Sequence, residues 1–246
     1  MIDIKELEER SKWLRRETIN LAKENHGYHF GGSFSIIEIL ISLYNEILTE
    51  KDKFILSKGH ACFPLYVLLR EKGYNPEICG HPSLDCKNGI FCSTGSLGHG
   101  LPIGIGIAIA KKLKGDIGRV YVLMGDGECQ EGTTWESLML ASHHHLDNLT
   151  VIIDNNKIQG SGPVSEILSL GDLEKKFESF GCSVSKINGH SYQEIFSVLV
   201  QETNKPRVII ADTVKGKGIS YMENKSEWHA RFPNEAEFKQ AYEELI

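Results

Sequence analysis

The chain has 246 residues, with 27 basic and 33 acidic side chains and a formal net charge of −6. That length builds one large or two small domains with a sizeable core. The sequence shows no clustered basic footprint for nucleic acid and no apolar run approaching a membrane span, and its start, MIDIKELEER, does not read as a signal peptide. Its six cysteines, at 62, 79, 86, 92, 129 and 182, include no CxxC pair. Free thiols in a cytoplasmic protein are therefore expected, and a zinc site is not.

Residues 3–25 read as an amphipathic helix, because Ile4, Leu7, Ser11, Leu14, Thr18 and Leu21 recur at spacings of three and four. Ser35 and Glu38 form a capping box ahead of an apolar helix over about 35–47, with Gly31-Gly32-Ser33 a flexible turn before it. Residues 54–56 read as a short strand, and a helix follows to Lys72; residues 73–94 lack periodicity. Residues 94–113 are a Gly-rich turn entering an apolar helix. A dinucleotide fingerprint is set aside there, since the third glycine is misplaced and no strand leads into the turn. Val120–Met124 and Leu149–Ile153 are apolar strands joined by an amphipathic segment. Helices at 172–180 and 191–203 alternate with strands at 182–187 and 206–214, and a final helix covers 234–245. This alternation specifies one doubly wound α/β domain over 1–246, a mostly parallel sheet with helices on both faces.

The two central strands stop at chemically suggestive points. Val120–Met124 ends at Gly125-Asp126-Gly127, and Leu149–Ile153 ends at Asp154-Asn155-Asn156. Parallel strands joined by one helical crossover point their carboxyl ends the same way, so Asp126 and Asn156 can offer oxygens to one point. Hard oxygen donors suit Mg²⁺ or Ca²⁺, whose remaining positions phosphate oxygens can fill. Gly127 lets backbone approach a ligand, and the helix start behind it favours anions. The reading is a metal–diphosphate corner. His143-His144-His145 is not read as a metal site, because consecutive helix residues face different directions.

The Gly125–Asn156 stretch resembles the thiamine-diphosphate motif, which opens GDG and closes NN. The likeness extends in order through HFGGS, SKGHA, GHP, TGSLGHG, GDG…NN, TVKGKG and residues 228–230. Together these resemble the amino-terminal, pyrophosphate-binding half of transketolase, in the version split between two chains. The resemblance implies that His29 reaches cofactor and substrate, that His60 and His229 lie at the cofactor's diphosphate and thiazolium, and that His81 meets the donor's hydroxyls. It assigns Gly95, Leu97, Gly127 and Glu128 to the cofactor, and Asp126, Asn156 and the Ile158 carbonyl to the metal. Glu131 matches an acid facing the partner subunit, though a first-turn glutamate also suits the helix dipole. Tyr28, Phe91, His99 and Ala230 depart from the family's Gly, Glu, Gln and Gly.

The implied activity is transfer of a two-carbon ketol unit from a ketose phosphate to an aldose. Transketolases also need a pyrimidine-binding domain that supplies a catalytic glutamate, and nothing here matches one. A C-terminal partner subunit in an α2β2 assembly is therefore expected. Two rivals stay open at this point: a subunit of another thiamine-diphosphate enzyme, such as a 2-oxoacid dehydrogenase E1 or a deoxyxylulose-phosphate-synthase relative, and a non-catalytic cofactor-binding homologue.

Overall fold

The alternation of apolar side chains along each strand decides what covers which face of the sheet. A computed structural model describes residues 3–246. Its strands are β1 (Lys53–Leu56), β2 (Val120–Gly125), β3 (Leu149–Asn155), a two-residue hairpin β4 (Ile158–Gln159) and β5 (Gly162–Pro163), β6 (Ser183–Asn188) and β7 (Arg207–Asp212). All but the hairpin form one parallel sheet in the order β1-β2-β3-β7-β6. Ile55, Val122, Val151 and Val208 point to one face, where α5 (Gly100–Leu113), α6 (Gly132–His143) and α8 (Leu173–Ser179) supply Leu101, Ile105, Leu138 and Phe177. Phe54, Leu123, Ile152 and Ile209 point to the other. They pack there with Leu14, Ile37, Leu68, Ile195 and Phe238 of α1 (Ile4–Glu24), α3 (Ile37–Ile41), α4 (Phe63–Glu71), α9 (Tyr192–Leu199) and α10 (Glu235–Glu244). Near-continuous apolar strands buried on both sides are what a parallel sheet under two helical layers requires.

The chain steps from β1 to β2 to β3, passes over to the edge at β6, then returns to β7. The segment leaving β3 joins the α8 face, whereas the segment leaving β7 joins the α10 face. Chains diverging from neighbouring strand ends open a crevice at the carboxyl edge, where open α/β sheets bind ligands.

The helix expected over about 35–47 differs in kind. α2 (Phe30–Phe34) takes in Gly31-Gly32-Ser33, α3 follows, and Ser42–Ile47 is a wider π turn. Gly31 and Gly32 are thus helical and buried rather than a flexible turn. A Cβ at Gly31 would sit 2.9 Å from the Trp228 carbonyl, and one at Gly32 would sit 3.0 Å from His60 Nε2. No capping box forms at Ser35. Its hydroxyl donates to Asp154 Oδ2 at 2.6 Å, while Glu38 turns inward to Arg15 at 2.7 Å. A true capping box appears instead at Asn234 and Glu237, opening α10. α9 stops at Leu199, before residue 203, because Arg207 draws the Leu199 and Gln201 carbonyls away from further helical bonding.

The approach of α5 to the sheet yields a prediction with opposite signs at two glycines. A Cβ at Gly104 would meet Val122 Cγ2 at 2.5 Å, whereas one at Gly106 would meet nothing within 4 Å. In the isolated chain, Gly106→Ala is expected to stabilise by roughly 0.5–1 kcal/mol from helix propensity. Gly104→Ala is expected to destabilise by about 1–3 kcal/mol from overpacking. Urea unfolding of the two variants checks both signs.

Candidate active site

Four loops, from β1, β2, β3 and β7, meet at the crevice, and one buried carboxylate ties three of them together. Asp154, fully buried at the end of β3, forms an ion pair with Lys58 of the β1 loop. It also accepts from Ser35 Oγ at 2.6 Å, Asn156 Nδ2 at 2.8 Å and the Thr213 hydroxyl. Burial pushes its pKa up, but the Lys58 ammonium and these hydrogen bonds outweigh burial and hold it below the usual carboxylate range. Sequence reading assigned no role to Asp154, Lys58 or Lys215. The available signal was a lysine or acid inside each of SKGHA, DNN and TVKGKG, at the end of a strand buried on both sides.

Above this brace is a cavity of about 280 Å³, lined among others by Lys58, His60, Leu97, Asp126, Asn156, Ile158, Lys215 and His229. Parallel pairing of Gly125 with Asp154 brings Asp126 and Asn156 to adjacent strand ends. Asp126 is buried; its carboxylate accepts from Gly127 N–H at 2.7 Å and Lys157 N–H at 2.6 Å. Lys157 takes a left-handed φ of +67° at this turn. Burial, then the nearby Asp154 charge, raises the Asp126 pKa to about 6, so a cation there would relieve an unfavourable negative charge. Asn156 Oδ1 accepts from Ile158 N–H at 3.0 Å, and the Ile158 carbonyl accepts from Lys215 Nζ at 2.9 Å. No group of three or more His, Cys, Asp or Glu that could hold a metal occurs among the described residues. The donor set here is one carboxylate, one amide and one carbonyl, the hard-oxygen chemistry of Mg²⁺. Gln159 Oε1 is buried in the same wall with no hydrogen-bond partner, and a Cβ added at Gly125 would enter open space. These features fit a diphosphate and its cation.

All four histidines singled out from sequence come together. His29 lies 5.3 Å from His60, 6.1 Å from His81 and 5.3 Å from His229 between ring centroids, and His60 lies 4.9 Å from His229. His29 Nδ1 donates to the His229 carbonyl, which leaves Nε2 as its acceptor. His229 Nδ1 accepts from the Lys215 ammonium at 3.3 Å, which leaves Nε2–H as its donor. Burial lowers the pKa of His29 and carries that of His60 well below the ordinary value, the latter helped by Lys58. Burial and then Lys215 lower His229 to about 4. Burial and Lys58 in turn lower Lys215 to about 8. His29, His60 and His229 are thus neutral imidazoles facing two buried lysines.

The remaining expected residues divide. Gly95 has φ +144°, and the His81 ring packs where a Cβ would sit, at 3.0 Å. Leu97 and Glu131 are exposed at the cavity rim, and Glu131 precedes α6 without making a side-chain cap bond. Glu128 also borders the cavity, but its buried carboxylate is engaged within the protein. It accepts from Ser57 Oγ at 2.5 Å, Gly98 N–H at 3.0 Å and Gly125 N–H at 2.8 Å, and so braces three loops. His143, His144 and His145 are exposed and away from the cavity, and all six cysteines are free thiols. Phe91 lies outside the cavity, beneath Lys53 at 4.4 Å.

The fold and site define a diphosphate-binding α/β domain of the thiamine-dependent type. Residues 9–245 match the family described as "Transketolase, thiamine diphosphate binding domain", and the chain belongs to the transketolase family. It is 40% identical to one subunit of the apulose-4-phosphate transketolase of Actinobacillus succinogenes, over 98% of this chain and 96% of that protein. It is 36% identical to the 6-deoxy-6-sulfo-D-fructose transketolase subunit SqwG of a Clostridium species, over 88% of each. The transketolase structure from Campylobacter jejuni superposes with a TM-score of 0.90 at 29% identity, covering 99% of this chain and 43% of that one. The chain therefore spans less than half of that solved transketolase.

Two outcomes follow from the buried charges. Asp154→Asn leaves the Lys58 ammonium buried without its counter-charge and is expected to cost about 3–5 kcal/mol in denaturant unfolding. His229, half-buried and neutral, binds its proton less readily folded than unfolded, so its contribution is present above pH 6.5 and fades as pH falls toward 4. Between pH 7 and 4, wild type is expected to lose about 1–2 kcal/mol relative to His229→Gln, solvent screening of the half-exposed ring included, read from paired urea titrations.

Proposed function

We propose that this chain is the diphosphate-binding subunit of a two-chain transketolase that moves a two-carbon ketol unit from a ketose phosphate to an aldose. The observation that carries the proposal is the convergence of His29, His60, His81 and His229, from separate loops, beside a cavity walled by Asp126, Lys58 and Lys215. Asp126, Asn156 and the Ile158 carbonyl would hold Mg²⁺, and Lys58, Lys215 and His229 would hold the diphosphate. Thiamine diphosphate, when bound, supplies the thiazolium carbon that carries the two-carbon unit.

The chain's own groups then orient the sugars and move protons. His29, with Nδ1 committed to the His229 carbonyl, keeps Nε2 free to take and return a hydroxyl proton. His229 presents Nε2–H as a donor. His60, held neutral, can hydrogen-bond cofactor or substrate as donor or acceptor without adding charge beside the lysines. His81, exposed and 6.1 Å from His29 between ring centroids, would hydrogen-bond the donor's hydroxyls.

The two rim residues, Leu97 and Glu131, would meet the second subunit. That subunit would supply the pyrimidine pocket and its glutamate in an α2β2 assembly, the whole chain described here serving as one binding domain. Relatives that are themselves named as single subunits of a transketolase support the two-chain reading. Six free thiols suit a reducing, cytoplasmic compartment.

Co-purification with the cognate second subunit, followed by a coupled ketose–aldose assay with and without Mg²⁺, tests the proposal. Asp126→Ala is expected to remove Mg²⁺-dependent cofactor binding. His81→Ala is expected to lower turnover roughly 10²–10⁴-fold with cofactor affinity retained. Unchanged cofactor affinity in Asp126→Ala would overturn the metal assignment. Cofactor binding without transfer from any ketose would favour a non-catalytic homologue.

A further inference from the structure

Away from the cavity, on the α1 side of the sheet, is a buried charged network that the proposed chemistry does not use. Glu38 of α3 is 7% exposed, and its two carboxylate oxygens serve two different elements. Oε1 accepts from Arg15 Nη2 of α1 at 2.7 Å, and Oε2 accepts from His190 Nδ1 at 2.9 Å. Burial opposes the charge on Glu38, but Arg15 and His190 outweigh burial and hold its pKa at about 2.

Both partners of Glu38 then reach the same loop, on opposite sides of Lys215. His190 Nε2 accepts the Val214 N–H at 2.9 Å, which requires a lone pair on Nε2 and the proton on Nδ1. Arg15 Nε donates to the Lys217 carbonyl at 2.7 Å. Between these two anchored points, Lys215 is 1% exposed and its ammonium reaches the Ile158 carbonyl and His229. Glycine at 216, with φ +77°, lets the backbone reverse there and donate to the Gly31 carbonyl at 2.9 Å.

We infer that His190, tied through Glu38 to Arg15, is a positioning residue that fixes the depth to which Lys215 projects into the cavity. A lysine on a free loop has several rotatable bonds and a mobile backbone; fixing Val214 and Lys217 removes the backbone freedom before any anion binds. The inference rests on the reading of Lys215 as a diphosphate ligand. It predicts that an anion-affinity defect follows from a residue that touches neither anion nor cavity.

The experiment uses the complex of this chain with its second subunit. Thiamine diphosphate is titrated at fixed Mg²⁺, inorganic pyrophosphate serves as competitor, and the thermal midpoint of the unloaded complex is recorded in parallel. His190→Ala is expected to weaken both anions roughly tenfold, the size typical for residues that orient a ligand-binding group. Lys215→Met is expected to weaken them by at least as much. Combining the two is expected to add little beyond Lys215→Met alone, an outcome that general loosening of the fold would not give. His190→Gln, which keeps an amide able to accept the Val214 N–H, is expected to restore part of the affinity and serves if the alanine variant does not fold. Wild-type affinity in His190→Ala, or full additivity with Lys215→Met, overturns the inference. Wild-type anion affinity in Lys215→Met overturns the diphosphate reading and the inference with it.

Discussion

Everything at the carboxyl edge of this sheet depends on the ion pair between Lys58 and Asp154. An unpaired charge at such depth would be strongly unfavourable, so neither residue can leave without the other. Because Asp154 also holds Ser35, Asn156 and Thr213, the pair fixes α2 and the β7 loop as well as its own loops. A parallel sheet supplies strand ends at a regular spacing, and it says nothing about where the following loops go. Here that direction is set by electrostatics, with one carboxylate as the common point.

The same edge carries two opposed electrostatic tasks. His29, His60 and His229 are kept neutral and the lysines are kept close together, an arrangement that favours an anion. Asp126, at the neighbouring strand end, is held at a raised pKa and favours a cation. A diphosphate with its divalent ion answers both demands at once, and neither partner alone answers both. This complementarity of unfavourable halves, more than any single hydrogen bond, suits the cavity to that class of ligand.

Much of this was legible in the sequence, for physical reasons. Strands β1, β2, β3 and β7 were readable because they are buried on both sides and so form continuous apolar runs. The four histidines were singled out only through the likeness of HFGGS, SKGHA, GHP and residues 228–230 to the family's motifs, because a loop histidine carries no periodicity of its own. The bracing role of Glu128 was hidden, because a motif acid and a bracing acid look alike until its three hydrogen bonds are seen. Ser35 and Glu38 satisfy a capping-box spacing, yet tertiary partners at Asp154 and Arg15 win over the local bond. Lys58, Asp154, Lys215 and His190 were missed because their importance comes from partners distant in the chain, which periodicity cannot register.

Those long separations carry a consequence for how the molecule comes into being. The contacts of Asp154 with Lys58 and Ser35 span 96 and 119 residues, and Arg15 meets Lys217 across 202. Such contacts form late, after distant chain segments have already been brought together, and they slow the approach to the native state. The cavity is therefore complete only once segments from the whole length of the chain have come together. A chain that has not closed these contacts has no finished cavity, so any ligand held there selects chains that have completed folding.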